Sequence, residues 1–177
     1  MPTTTPKGWM HSGTHRKEYA LAVDRVTLCE GAPSGHVASL APEIDGFGTL
    51  MQMIMAGTRR GHRVRFSADV KCTLVADWAG LWMRIDGQKR GVPHFDNMQD
   101  RPIKGTADWT NYAVVLDVSE TADVIAFGIL LEGTGEVWIS HVTLEVVGLD
   151  VPITAQPGAF PETALPSEPA NLDFHED

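Results

Sequence analysis

The sequence predicts an all-β chain, an antiparallel β-sandwich of jelly-roll type. Three observations carry this. Apolar and polar residues alternate with period two through most of the chain up to Gly148, as strands with one buried face require. Gly, Asp and Thr clusters separate the alternating runs. No segment shows a sustained 3.6-residue period.

The runs follow in order. Residues 18–24 form an early strand and 36–41 another. Residues 47–56 are apolar at nearly every position, with Gln52 the lone polar residue among Met51, Met53 and Met55. Residues 57–61 make a turn. From His62 to Lys71, Val64, Phe66, Ala68 and Val70 alternate with Arg63, Arg65, Ser67 and Asp69. Strands at 81–86, 111–118, 124–131 and 136–147 complete the set. Eight or so strands without a helix fit a two-layer antiparallel architecture, with Val64, Phe66, Leu81, Met83, Ile85, Val142 and Leu144 inward. The basic stretch Arg59, Arg60, His62, Arg63 and Arg65 reads as a turn and the solvated face of the strand after it.

The boundaries predict one sandwich over residues 8–148 and a Pro-rich acidic tail over 149–177. Tail residues Phe160, Leu165, Leu172 and Phe174 are the ones that could dock. The tail has no strand pattern, so the expectation is that a chain ending at Gly148 still folds.

The chain has 177 residues, 43% hydrophobic and 21% charged, enough for one domain with a core. Its formal net charge is -9; Asp150, Glu162, Glu168, Asp173, Glu176 and Asp177 lie after Gly148 without a Lys or Arg. No basic footprint for nucleic acid results. No apolar run reaches the ~20 residues of a membrane span, and the first residues lack an apolar signal stretch, so a cytoplasmic location is expected. Two cysteines, Cys29 and Cys72, without a CxxC pair read as small buried hydrophobes. Self-association into a homo-oligomer is left open.

Candidate chemistry concentrates in the middle third. Between 81 and 86, Leu81, Met83 and Ile85 point one way, and Trp82, Arg84 and Asp86 the other. An indole beside a guanidinium and a carboxylate suits a ligand floor: a stacking plane with charged hydrogen-bonding groups at its edge. The bland alternative is a covered face with Arg84 and Asp86 merely paired. The following loop holds His94, Phe95, Asp96, Asn97, Asp100 and Arg101. His94 beside Asp96 could move a proton near neutral pH; alternatively the loop bonds to itself, with Arg101 tying it to the sheet. Gln52 could read a ligand from inside a pocket, or bond backbone at a bulge. Trp109 and Trp138 read as core or rim packing. His11 and His15 lie four apart, but not on a helix. HExxH, GxSxG, Walker and Rossmann patterns are missing from the sequence, so no metal or cofactor is expected.

Three stretches together resemble carbohydrate-binding-module-like, galactose-binding-like jelly rolls: residues 35–40 with 47–52 and 61–68; Trp109 to Tyr112 opening a strand; and Gly135 to Glu145, similar to that fold's closing strand. The run from Phe95 through Met98, Ile103 and Thr106 to Trp109 looks like a β-sandwich module that accompanies some bacterial AraC-type regulators and peptidases. This chain carries no helix-turn-helix pattern and no peptidase motif, so neither activity is implied. The resemblance implies a calcium-binding Asp near the closing strand, where this chain has Ser140 and His141. A neutral imidazole is a poor calcium ligand, so that site is expected to be absent or altered. Residues 169–174 resemble the way such modules begin, just ahead of a Gly-Trp pair like Gly8 and Trp9, as in a tandem array.

Three functional readings follow. The first is a module binding a small hydroxylated organic ligand through Gln52, Trp82, Arg84, Asp86, Phe95, Asn97 and Arg101. The second is a cofactor-free isomerase or cyclase using His94 and Asp96 for proton transfer. The third is a protein–protein interaction module.

Overall fold

A computed structural model describes residues 5–155. The strands are β1 (Met10–Ser12), β2 (Tyr19–Cys29), β3 (Ala32–Ser39), β4 (Phe47–Met55), β5 (His62–Asp86), β6 (Phe95–Asp96), β7 (Ile103–Val118), β8 (Val124–Glu132) and β9 (Glu136–Val147). Short 3-10 turns at Arg16–Glu18 and Gly57–Arg59 are the helical pieces among the described residues. All pairings are antiparallel. The all-β sandwich expected from the alternation is what forms.

The sequence suggested separate strands at 62–71 and 81–86; they are one bent strand of 25 residues. Its first half, up to Thr73, lies between β7 and β9. Its second half, from Trp78, lies beside β8 and β6. The bend falls at Leu74, whose φ is 51°. Gly135 holds it from outside: a Cβ there would stand 2.7 Å from Val75 Cα, so any side chain would push the bend open. The long strand thus feeds two layers. The first sheet runs β1-β4-β8-β5 with β6 at its edge; the second runs β7-β5-β9-β3-β2.

The core fills the space between the layers. Leu81, Met83 and Ile85 from the first sheet meet Val64, Phe66, Leu116 and Val137 from the second, all with at most 1% exposure. Phe66 and Phe127 lie 5.1 Å apart across the layers. Val142 and Leu144 are only partly buried and pack at the rim of this core, because that half of β9 pairs with β5 but no longer with β3. The Tyr19 hydroxyl sits 2.8 Å from the carbonyl oxygens of both Gly46 and Gly133, so β2 ties two loops to the sandwich edge. Arg63 and Arg65 pair with Asp117 and Glu145 on neighbouring strands, as a solvated face would.

The chain beyond Gly148 does not leave the body at once. Arg63 donates to the Leu149 and Val151 carbonyls. Thr154 N–H donates to Val115 O at 3.0 Å, Val115 N–H donates to Thr154 Oγ1 at 2.8 Å, and Ala155 joins the core. Phe160, Leu165, Leu172 and Phe174, the docking residues expected from sequence, and the module-like start at 169–174 lie outside the described residues.

One carboxylate gives the fold an acid dependence. Burial alone would raise the Asp24 pKa. The backbone N–H groups of Thr27 and Val26 and the Trp138 indole N–H, 2.7–3.0 Å away, outweigh it and hold the group well below the usual carboxylate range. A depressed folded pKa contributes stability in full above the unfolded value of about 3.9. That contribution is lost as pH falls through the lower folded value. Asp24→Asn should therefore destabilise at neutral pH, with the gap to wild type narrowing as pH falls below about 4. Urea midpoints across that range check it; a gap independent of pH would contradict the assignment.

Candidate functional site

The outer face of the first sheet collects most of the residues singled out in the sequence. Alternation and register place side chains there in rows. Trp82 lies opposite Gly128, which lies opposite Met51. Arg84 lies opposite Ala126, then Met53, with Phe95 on its other side. Asp86 lies opposite Val124, then Met55.

Gly128 sets the centre of this face. A Cβ there would come within 2.3 Å of the Leu50 carbonyl oxygen, so β4 and β8 approach as closely as they do only with glycine at that position. Trp82 reaches across to β4, where its Nε1–H donates to Thr49 Oγ1 at 2.9 Å. Thr49 in turn donates to Ile129 O at 2.7 Å. The indole is therefore fixed, packed with Met51, Ala126 and Leu130 in a second apolar cluster outside the main core. At 8% exposure Trp82 forms the floor of the face rather than a free stacking plate. Phe95 at 38%, Met53 at 46% and Met55 at 67% are the exposed apolar groups on it.

Arg84 and Asp86 pair directly, at 2.7 and 3.0 Å. Asp86 holds the Arg84 guanidinium above its ordinary pKa. Both side chains remain more than a third exposed. The pair is a half-solvated dipole at the edge of an apolar strip.

The loop after Asp86 closes on itself. Asp96 lies on the core side of β6, buried, and receives hydrogen bonds from Met98 N–H, the Arg101 guanidinium and the Thr154 hydroxyl. Burial would lower the Arg101 pKa, but Asp96 and Asp100 raise it on balance; the side chain also reaches Ala113 O. Asn97 Oδ1 accepts from Gln99 N–H at 3.2 Å. His94 supplies its carbonyl to Ile85 N–H at 2.7 Å. Of the expected set, Trp82, Arg84, Asp86 and Phe95 come together on one face. Asn97 sits beside it, and Asp96 and Arg101 serve as the brace beneath. Gln52 shares the parity of Leu50 and Ile54, which pack in the core, and so lies on the other side of the sheet from Trp82.

Thr49 and Leu130 belong to this face and were not singled out in the sequence. Their place depends on which strands neighbour β5, and no local pattern encodes that. The outer face of the second sheet carries a shallow depression lined by Ala20, Ala22, His36, Ala38, Leu40 and Glu136. Trp138, expected as core or rim packing, stacks there on His36 at 4.5 Å. His11 lies on β1, and His15 contacts Thr14; the structure does not join them.

No protein-family profile matches the chain. It is 42% identical over 174 residues to the uncharacterized HTH-type transcriptional regulator YbfP of Bacillus subtilis (strain 168), a match covering 97% of this chain and 57% of that protein. The chain thus spans little more than half of that curated relative. Among solved structures, the CBM22-1 xylan-binding domain of Paenibacillus barcinonensis Xyn10C superposes with a TM-score of 0.56 at 13% identity, covering 81% of this chain and 88% of that one. The Stig cyclase Fisc of Fischerella sp. TAU superposes with a TM-score of 0.55 at 12% identity, covering 82% and 87%. The fold is the carbohydrate-binding-module-like, galactose-binding-like jelly roll.

Proposed function

We propose that the chain is a small-molecule-binding module that takes a hydroxylated organic ligand, such as a sugar ring, on the outer face of its first sheet. The observation that supports this most is the pairing of exposed Phe95 and Met53 with the half-solvated Arg84–Asp86 pair on one surface. A sugar has an apolar C–H face and a rim of hydroxyls. The first suits an aromatic and thioether strip, the second a charged donor and acceptor. Sugar-binding and xylan-binding neighbours of the same fold support the ligand class. In a longer regulator, such a module would serve as the part that senses an effector.

The isomerase or cyclase reading is weaker. The Asp96 carboxylate already accepts from three groups and is buried, so removing a substrate proton would require breaking its brace. The protein–protein reading shares the apolar strip. A dimer that forms through it, and breaks with Met53→Asp, would favour that reading instead.

The test is a thermal-shift and NMR titration series with monosaccharides and xylo-oligosaccharides. Trp82 is too buried to be a clean probe, so the informative variants are Phe95→Ala and Arg84→Ala. For a saccharide that binds wild type, Arg84→Ala should weaken affinity by about 1.5–3 kcal/mol, as loss of a charged hydrogen bond does. Phe95→Ala should weaken it as well, and both variants should melt close to wild type. Binding that survives both variants, or no saccharide binding at all, would remove this reading.

A further inference from the structure

We infer that Cys29, Asp69 and His141 form a binding site for a borderline-soft divalent metal ion, of which zinc is the type. These residues are far apart in sequence and come from three strands of the second sheet. Cys29 ends β2, just before a two-residue turn at Glu30 and Gly31, whose φ values are 47° and 85°. Asp69 lies in the first half of β5. His141 lies on β9, where the pairing with β5 slips. Asp69 faces Ser140 and Ser67 faces Thr143, so one residue of β5 opposes two of β9. This is a β-bulge, a device that re-aims a side chain. His141 pays for it with a φ of 49°, a region that ordinary side chains avoid at a cost of roughly 1–2 kcal/mol.

The bulge turns the imidazole toward the other two groups. His141 Nδ1 stands 2.8 Å from Asp69 Oδ2 and 3.6 Å from Cys29 Sγ; Sγ and Oδ2 are 3.8 Å apart. Tetrahedral zinc binds nitrogen and oxygen at about 2.0–2.2 Å and sulfur at about 2.3 Å, which sets its ligand atoms roughly 3.3–3.8 Å from one another. The three atoms stand at that spacing, with only the Nδ1–Oδ2 edge needing to open by about half an ångström.

The convergence separates this cluster from a catalytic relay. In a nucleophile–histidine–acid relay, the nucleophile and the acid engage opposite ring nitrogens. Here sulfur and carboxylate both face Nδ1, as ligands around one ion do. Asp69 is oriented from behind, since Asn111 Nδ2 donates to its other oxygen at 2.9 Å. Outer hydrogen bonds of this kind aim a ligating carboxylate. A thiolate and an imidazole with a single carboxylate select against calcium and magnesium, which require more oxygen ligands. Cys29 is buried while His141 is exposed, so the fourth coordination position opens toward solvent. On binding, the thiol gives its proton to water, and thiolate plus carboxylate neutralise a divalent ion.

The test is cobalt(II) titration of the full chain after chelator treatment under reducing conditions. One equivalent should bind with a thiolate-to-cobalt charge-transfer band and the visible bands of a tetrahedral site, and zinc should displace it. Cys29→Ala should lose the charge-transfer band, while Cys72→Ala should keep it. His141→Ala alters an exposed residue, so the fold should be retained while saturable binding is lost. Asn111→Ala should weaken binding about 10–100-fold, as loss of an orienting partner does. No cobalt binding to wild type, a charge-transfer band that persists in Cys29→Ala, or unchanged affinity in folded His141→Ala would each overturn the site.

Discussion

Phe66→Ala should destabilise the protein by about 3–5 kcal/mol, the range for truncating a buried aromatic residue. Phe66 has no exposed surface, sits between Val114 and Leu144 in register, and meets Phe127 of the opposite sheet at 5.1 Å. It therefore bridges the two layers from the first half of the bent strand. Truncation leaves a cavity that the layers can close only by moving together, which the pairing of β5 on both sides resists. The neighbouring Arg65→Ala supplies the control. That side chain points outward and pairs with Glu145 at the surface, so its loss should cost no more than about 1 kcal/mol. Equilibrium denaturation measures both. Equal costs would mean that Phe66 does not bridge the layers.

A chain ending at Gly148 should lose on the order of 2–3 kcal/mol, from several hydrogen bonds at about 1 kcal/mol each. It gives up the bonds from Thr154 N–H to Val115 O and from Val115 N–H to the Thr154 hydroxyl, the Thr154 hydroxyl on Asp96, the carbonyl acceptors of Arg63, and the packing of Ala155. The lack of a strand pattern in this segment predicts only that such a chain still folds, and says nothing of this cost. The segment docks through one hydroxyl and a few backbone groups instead of through alternation. Thr154→Val isolates the key contact. It keeps the shape but withdraws a donor from a buried carboxylate, and should cost about 1–3 kcal/mol. A chain ending at Ala155 should match the full chain. If it is instead as unstable as the shorter one, the anchor lies further along. If the chain ending at Gly148 matches the full chain, residues 149–155 contribute nothing.

The class of fold was legible because alternation is a local property. Val64, Phe66, Ala68 and Val70 announce a buried face whatever strand lies opposite, and so do Leu81, Met83 and Ile85. The same parity placed Trp82, Arg84 and Asp86 together on the outer side. Gln52 could have been placed by that rule as well, since it shares parity with Leu50 and Ile54. Its polarity suggested a site, although it sits behind the face that carries Trp82.

What the sequence could not decide is which strands become neighbours. Thr49 holds the Trp82 indole because β4 lies two strands from β5, across a glycine. Asp96 is a brace because Thr154, far along the chain, reaches it. Cys29, Asp69 and His141 meet because β2, β5 and β9 end up in one sheet and a one-residue bulge turns the histidine. Period and parity act over a few residues and are written in the chain itself. Register and bulges arise from packing between segments distant in sequence, so only the tertiary structure decides them.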